Sequence, residues 1–277
     1  MAETMKEQIS KIVKLALEED IGSGDITTNA TVPEGRVSTA VVRAKEECVV
    51  CGLNVAEEVF RQLDRDVKFT KLRKDGETAG KGEAIAEISG RTRAILTGER
   101  TALNFLQRMS GIATKTKNML HLIEGTNAKL LDTRKTTPGL RVLEKYAVVC
   151  GGGTNHRMGL YDQVLIKDNH ISVAGIRRAV ELTRKTGKRV EIEVKTFDQI
   201  SEALEAGADI IMLDNMPLDD IKKSIKMIGS KAIVEVSGGV SEKTIRDIAE
   251  AGADWISVGA LTHSVKAFDI TMLIEDT

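Results

Sequence analysis

The chain contains few aromatic residues and carries almost no net charge, and both shortages limit what it can bind. Phenylalanine, tryptophan and tyrosine make up 3% of the 277 residues, which leaves few rings on which nucleic acid bases could stack. The 40 lysines and arginines nearly balance the 41 aspartates and glutamates, so the net charge is −1. A polyanion would therefore meet no overall attractive field. We expect no nucleic acid partner, and any bound anion must be held by a local cluster of charges.

The sequence also lacks long apolar runs. No stretch of about 18 consecutive apolar residues occurs, so no membrane-spanning helix is predicted. Near the N-terminus, apolar residues recur at helical spacing from Ile9 to Leu17, with lysine and glutamate between them. This amphipathic pattern differs from the uninterrupted apolar core of a secretory signal. We therefore expect a cytoplasmic protein.

Cysteine is scarce, with three residues at Cys48, Cys51 and Cys150, which is typical of a reducing compartment. Cys48 and Cys51 match the CxxC spacing, but they lie in a β-branched run that we interpret as a strand. Residues three apart on a strand point to opposite faces, so the two thiols should not converge. No second pair exists to complete a zinc site. We predict that both are reduced, structural cysteines.

The pattern of apolar residues changes near residue 108, and we predict one domain over residues 1–108 and a second over 109–264. The first half mixes an opening helix with short strands, turns at 75–76 and 81–82, and a later helix. The strands are predicted at Val37–Ala44, Glu47–Val50 and Ala84–Ile88, and the later helix at Thr97–Met109. This composition indicates a mixed α/β domain with antiparallel pairing.

The second half alternates short apolar runs with helical segments, which predicts a parallel sheet. The runs are Lys129–Asp132, Val164–Lys167, Val190–Val194, Ile210–Asp214, Ile233–Val236 and Trp255–Val258. The sequence EAGAD occurs at 205–209 and again at 250–254, each time just before a strand. Gly207 and Gly252 are therefore predicted to follow helix ends, where a positive φ is needed. Six parallel strands favour an α/β barrel, incomplete or closed, over an open sheet.

Residues 131–170 form the most informative segment because basic side chains are concentrated there among loop residues. They are Arg134, Lys135, Arg141, Lys145, Arg157 and Lys167, with His156 and His170. The breaks at TTPG (136–139) and GGG (151–153) indicate loops rather than a helix surface. Since arginine grips carboxylates in a bidentate fork, the cluster predicts a small di- or tricarboxylate ligand, with His156 in contact. An alternative is a Schiff base at Lys167, as in barrel aldolases.

Charged residues or glycines also follow the predicted strands at one end, where α/β barrels build their active sites. Glu193 and Asp214 end the third and fourth strands. They could accept hydrogen bonds from sugar hydroxyls, hold Mg²⁺, stabilise a developing cation, or only pair with nearby lysine or arginine. Ser237-Gly238-Gly239 and Gly259-Ala260 follow the last two strands. They suit phosphate binding through backbone N–H groups, although glycine can serve a turn alone.

Several long motifs, taken in order, resemble the quinolinate phosphoribosyltransferase family over nearly the whole chain. The motifs are EEDIGSGDITT (18–28), GERTALNFLQ (98–107), DTRKTTPGLR (132–141), GGGTNHR (151–157), IKDNH (166–170), SGG (237–239) and SVGALTHS (257–264). The resemblance implies an N-terminal α/β sandwich domain and an open, incomplete parallel α/β barrel, with the tail at 265–277 returning to the first domain. It also implies a pentosyltransferase of de novo NAD synthesis. Quinolinate and phosphoribosyl pyrophosphate would give nicotinate mononucleotide, pyrophosphate and CO₂, with Mg²⁺.

The resemblance also implies roles for particular residues. The quinolinate carboxylates would be bound by Arg134, His156, Arg157 and Lys167, and by Arg100 from the other subunit. Lys135 would face the pyrophosphate, and Glu193 and Asp214 would hold the ribose hydroxyls, directly or through Mg²⁺ and water. Ser237, Gly238, Gly239, Gly259 and Ala260 would cradle the 5′-phosphate. The implied assembly is a homodimer with shared active sites, or a larger assembly such as a trimer of dimers.

Three alternatives stay open from the sequence. One is a related enzyme acting on another base, such as the molybdenum-associated paralogue, although the intact KDNH at 167–170 speaks against it. Another is a barrel aldolase that forms a Schiff base at Lys167. The third is a sensor that binds a pyridine dicarboxylate without turnover.

Overall fold

The computed structural model describes residues 4–275, and helices and strands alternate over most of them. The helices are α1 (Met5–Ile21), α2 (Ile26–Thr31), α3 (Leu53–Leu63), α4 (Thr92–Leu122), α5 (Arg141–Cys150), α6 (Asp168–Ala174), α7 (Ile176–Arg184), α8 (Phe197–Ala206), α9 (Leu218–Ile228), α10 (Ile245–Glu250) and α11 (Ala260–His263). None of the helices in this range has the length and apolarity required to cross a membrane.

The strands are β1 (Val37–Ala44), β2 (Cys48–Val49), β3 (Lys68–Lys71), β4 (Thr78–Ala79), β5 (Ala84–Arg91), β6 (Lys129–Leu131), β7 (Val164–Ile166), β8 (Val190–Val194), β9 (Ile210–Asp214), β10 (Ile233–Ser237), β11 (Trp255–Ser257) and β12 (Ile270–Glu275). The described chain divides into two compact units. The first comprises residues 4–117, 137–152 and 264–275, and the second comprises 118–136 and 153–263. The predicted boundary after residue 108 lies inside α4.

The first unit contains an antiparallel sheet with the strand order β12-β1-β5-β3. The last strand of the chain pairs with the first, so that Ala40 lies opposite Ile274. β1 has the predicted bounds, whereas β5 extends three residues beyond its prediction because its end stays paired with β1. The mixed α/β domain predicted from the sequence is thus an antiparallel sheet with helices.

α4 is much longer than the helix predicted at Thr97–Met109. Threonine has poor helix propensity, yet two threonines beyond the predicted end at Met109 lie within the helix. Their hydroxyls donate to backbone carbonyls of the preceding helical turn. Thr114 donates to the Ser110 carbonyl at 2.7 Å, and Thr116 donates to the Ile112 carbonyl at 2.8 Å. Both side chains are buried, so tertiary packing keeps this stretch helical.

The second unit is a six-stranded parallel sheet with the order β6-β11-β10-β9-β8-β7. Its strands agree with the six predicted runs to within one residue at each end. β6 and β7 form its two edges, and no pairing joins them among the described residues, so the barrel is open. Thr154 partly extends the sheet beside β6: its N–H donates to the Leu130 carbonyl at 2.9 Å. The predicted α/β barrel, incomplete rather than closed, is confirmed.

The repeated EAGAD sequence has the same structural role in both copies. Gly207 follows α8 at φ 81° and Gly252 follows α10 at φ 99°, as predicted for helix ends. The aspartates then hold the start of the neighbouring strand: Asp209 accepts from the Val190 N–H and Asp254 accepts from the Val234 N–H, both at 2.8 Å. The repeat therefore sets the register of adjacent parallel strands.

Candidate active site

A cleft of about 530 Å³ opens at the C-terminal ends of the parallel strands, entirely within the second unit. Its volume suits a small-molecule ligand. Ten of the predicted site residues line it: Arg134, Lys135, His156, Arg157, Lys167, Glu193, Asp214, Ser237, Gly238 and Gly239. Thr133, Leu165, Met212, Asn215 and Ser257 complete the lining. The strand ends meet here because the strands are parallel and in register, which brings together residues that are far apart in sequence.

The basic side of the cleft holds Arg134, Arg157 and Lys167. Arg157 is buried, and one of its guanidinium nitrogens donates to the Gln163 carbonyl at 3.3 Å. Burial, and then the positive charge of Arg134, lowers the pKa of Arg157. Two guanidinium groups that repel one another in this way are stabilised by a shared anion.

His156 lies over two buried acids that the sequence analysis did not single out, Glu191 on β8 and Glu235 on β10. Its Nε2 atom is 3.1 Å from one Glu191 oxygen and 3.6 Å from one Glu235 oxygen. Both glutamates are fully buried. They are fixed in turn by the Gln163 amide, which donates to Glu191 at 2.6 Å, and by the Ser257 hydroxyl, which donates to Glu235 at 2.5 Å.

The charge state of His156 follows from these neighbours. Burial opposes the charged ring, but hydrogen bonds and charges from Glu191 and Glu235 outweigh it and raise the pKa of His156 to about 10. Burial, with repulsion from Glu235, raises the pKa of Glu191. The Nδ1 atom of His156 lies 2.7 Å from the Arg157 backbone nitrogen, whose N–H donates to it, and this contact opposes a proton on Nδ1. Both ring nitrogens therefore face protein atoms.

The predicted acidic pair lies on neighbouring strands, with each carboxylate close to a basic side chain. Glu193 accepts from the Lys167 ammonium at 2.5 Å. Asp214 accepts from the Asn215 side-chain amide at 3.0 Å and lies 3.8 Å from the Lys195 ammonium. The ion-pair alternative from the sequence analysis is thus present in this geometry, and it leaves both carboxylates facing the same cleft.

The two glycine turns depend on the absence of side chains. Gly238 has φ 86°, and a Cβ atom there would collide with the side chain of Asn215. Asn215 itself has a positive φ of 55°, which asparagine tolerates better than most residues. A Cβ atom at Gly259 would lie 2.8 Å from Cδ of Lys135, and the Thr262 hydroxyl fixes the Lys135 carbonyl at 2.8 Å. The loops after β6 and β11 therefore lie side by side.

The sequence models of the two domains of one enzyme family match consecutive parts of the chain. "Quinolinate phosphoribosyl transferase, N-terminal domain" matches residues 25–110, and the C-terminal domain of the same name matches residues 112–273. The chain belongs to the quinolinate phosphoribosyltransferase family. The family resemblance expected from the sequence motifs is thus confirmed.

Two relatives and one solved structure are similar to this chain over nearly their whole length. The chain is 43% identical to a probable nicotinate-nucleotide pyrophosphorylase (carboxylating) of Bacillus subtilis, covering 96% of this chain and 93% of that protein. It is 44% identical to a protein of the same name from Methanocaldococcus jannaschii, covering 97% and 98%. The solved structure of the nicotinate-nucleotide pyrophosphorylase from Francisella tularensis superposes with a TM-score of 0.93 at 43% identity, covering 99% of this chain and 98% of that one.

Three predicted residues lie outside the lining of the cleft. Gly259 and Ala260 follow β11, and Gly259 is next to Lys135. Arg100 belongs to the first unit, where its side chain is exposed on α4. The role of Arg100 in the site of the other subunit stays a prediction.

The residues missed by the sequence analysis gave unequal signals. Asn215 directly follows Asp214 at a strand end, and an asparagine before a turn is a recognisable signal for a positive φ. Glu191 and Glu235 gave a weaker one: each is an acid in the middle of an apolar strand, where a charge must be paired. The sequence does not show which residue pairs with them, because His156 belongs to a loop that is distant in sequence.

Proposed function

We infer that this chain transfers the phosphoribosyl group of phosphoribosyl pyrophosphate to quinolinate with decarboxylation, giving nicotinate mononucleotide, pyrophosphate and CO₂ in de novo NAD synthesis. The observation that carries the inference is one cleft that combines a basic side, two carboxylates and a glycine turn, in a chain of the quinolinate phosphoribosyltransferase family. These parts match a dicarboxylate, a ribosyl centre and a phosphate.

Arg134, Arg157 and Lys167 would bind the two carboxylates of quinolinate. Charge-assisted hydrogen bonds from a planar guanidinium fix both the position and the orientation of a carboxylate. His156 lies in the same lining, but its ring nitrogens face Glu191, Glu235 and the Arg157 N–H. Its contribution to quinolinate binding would then be a positive charge and the placement of Arg157.

Glu193 and Asp214 would stabilise the ribosyl centre. As the bond from the anomeric carbon to pyrophosphate breaks, positive charge develops on the sugar and the pyridine nitrogen supplies the electron pair for the new bond. Two carboxylates at adjacent strand ends are suited to hold the ribose hydroxyls and to balance that charge. Lys135, exposed at the opening of the cleft, would face the departing pyrophosphate.

The last step would be loss of CO₂ from the 2-carboxylate. The quaternised ring nitrogen accepts the electron density left at the adjacent carbon, which then takes a proton from solvent. The 5′-phosphate would stay bound at Ser237, Gly238 and Gly239, with Gly259 and Ala260 beside them. Backbone N–H groups at glycine turns suit this role because no side chain blocks the approach of the phosphate.

Mg²⁺ is the cofactor we propose. It would neutralise charge on the pyrophosphate as it leaves. Glu193 and Asp214 supply suitable oxygen ligands, but they belong to no cluster of three or more protein ligand groups within residues 4–275. Mg²⁺ commonly takes most of its ligands from substrate phosphates and water, so the residues fit a cation that arrives with phosphoribosyl pyrophosphate.

The deciding experiment measures nicotinate mononucleotide and CO₂ from quinolinate, phosphoribosyl pyrophosphate and Mg²⁺, beside a nicotinate control. We expect turnover with quinolinate but not with nicotinate, because the 2-carboxylate that nicotinate lacks both binds to the protein and leaves as CO₂. Removal of Mg²⁺ with a chelator should abolish turnover, and Mg²⁺ should restore it. Binding of quinolinate by folded protein without turnover would instead indicate a sensor.

A further inference from the structure

A cluster of two thiols and one carboxylate lies in the first unit, and none of its three residues is named in the proposed reaction. Cys51 follows β2, Asp75 lies in the turn between β3 and β4, and Cys150 is the last residue of α5. One ligand atom from each lies within 4.8 Å of those of the other two. The chain therefore brings three separate segments together at this point, and the thiol near Cys51 is that of Cys150.

The ligand groups are held by a surrounding shell of hydrogen bonds. One Asp75 oxygen accepts from the backbone N–H groups of Gly52 and Leu53, both at 3.1 Å. The other accepts from the Tyr146 hydroxyl at 2.9 Å. Metal-binding carboxylates are oriented in this way by neighbouring donors, and the remaining lone pairs stay available for a cation.

The backbone of Cys51 is fixed as well. Its N–H donates to the Ser110 hydroxyl oxygen at 3.0 Å, and that hydroxyl lies 3.3 Å from the Cys51 carbonyl that accepts from it. Cys51 is fully buried, whereas Cys150 is partly exposed. A cation and one water ligand could thus enter from the Cys150 side without opening the core.

We propose that Cys51, Asp75 and Cys150 bind one thiophilic divalent cation of the zinc type. Ligand atoms of a tetrahedral zinc site lie roughly 3.3–3.8 Å apart, so small side-chain rotations would complete the site. Two thiolates and one carboxylate select zinc or cadmium over magnesium or calcium, which prefer oxygen ligands. Binding releases the two thiol protons to solvent, and water occupies the fourth position.

The site would join the β2–α3 connection, the β3–β4 turn and the end of α5. A cation that binds only the folded state stabilises it by mass action. The proposal does not depend on the phosphoribosyl transfer, because none of the three residues takes part in it.

The test is a titration of the untagged full-length protein with Cd²⁺, kept reduced by a phosphine. We expect an ultraviolet thiolate-to-cadmium absorption band that saturates at one equivalent and is bleached when Zn²⁺ competes. Cys51→Ser and Cys150→Ser should each abolish the band, and Asp75→Asn should weaken binding. Cys48→Ser is the matched control, since Cys48 is equally buried but outside the cluster, and it should leave the band unchanged.

A second measurement needs no variant and so covers the case in which a variant fails to fold. The rate of Cys150 alkylation by iodoacetamide is followed by peptide mass spectrometry with and without Cd²⁺. At a Cd²⁺ concentration of about 100 Kd the rate should fall about 100-fold. No absorption band, or an unchanged alkylation rate, would overturn the proposal.

Discussion

Lys167 Nζ and Glu193 Oε2 are 2.5 Å apart. The lysine predicted to bind quinolinate therefore forms an ion pair with the glutamate predicted to stabilise the ribosyl centre. The pair joins the end of β7 to the adjacent strand β8. Quinolinate would compete with Glu193 for the ammonium, and Glu193 would turn toward the ribose. A Schiff-base lysine attacks as a free amine, so this pairing disfavours the aldolase alternative.

Lys167→Met should reduce kcat/KM for quinolinate about 10- to 100-fold, since hydrogen bonds to charged groups contribute about 1.5–3 kcal/mol. The control is Lys223→Met. Lys223 is exposed, 3.1 Å from Asp220 on the same helix, and such pairs contribute little. Steady-state kinetics that show equal losses for both variants would contradict a specific role of Lys167. Borohydride with a carbonyl substrate should trap nothing at this lysine.

His156 should titrate far above an ordinary histidine. With its pKa raised to about 10, the protonated ring contributes stability that is fully present below pH 6.5, the ordinary value, and is lost as the pH rises toward 10. The free energy of unfolding should therefore fall more between pH 6.5 and 10 in the native protein than in His156→Gln. Glu235→Gln, which removes one cause of the shift, should lower the midpoint seen by NMR of the ring.

The same NMR experiment distinguishes the two influences on this ring. A neutral ring with its proton on Nε2 at pH 7 would mean that the Arg157 N–H bond to Nδ1 outweighs the two glutamates. That result would contradict the predicted charge of His156.

Gly238→Ala should raise KM for phosphoribosyl pyrophosphate and destabilise the fold by about 1–3 kcal/mol, because a side chain would be strained at φ 86° and would collide with Asn215. Gly229→Ala is the matched control: φ is also positive, at 56°, but a Cβ atom there meets nothing within 4 Å. Backbone strain should lower the melting temperature of both variants, whereas the KM for phosphoribosyl pyrophosphate should change only in Gly238→Ala. A similar change of KM in both would argue against a phosphate site at 237–239.

Mixed subunits test the proposed shared site. Arg100→Ala and Arg134→Ala should each be nearly inactive alone. If Arg100 serves the other subunit, a mixed dimer keeps one intact site and should recover activity, up to about half of the native value when every dimer is mixed. With one of the two variants uniformly labelled with ¹⁵N, native mass spectrometry would verify mixing. Mixed dimers without recovery would contradict a role of Arg100 in the active site of the other subunit.

The chain order of the β-strands could be predicted because local patterns specify them. The six parallel strands stand out as short apolar runs, and the EAGAD repeats mark where helices end and strands begin. The cleft was predictable for a related reason: parallel strands end on one side, so the residues at their carboxyl ends must meet. The length of α4 was not, because its later turns are helical through burial rather than propensity.

The sequence alone thus determined the family, the alternating strands and helices, and most of the residues that line the cleft. These features depend on local sequence patterns and on the order in which those patterns occur along the chain. Only the tertiary structure decided which partner each buried polar group has. Cys51 lies beside Cys150, and Glu191 and Glu235 lie beside His156. Burial makes such groups require partners, but packing between distant segments selects them.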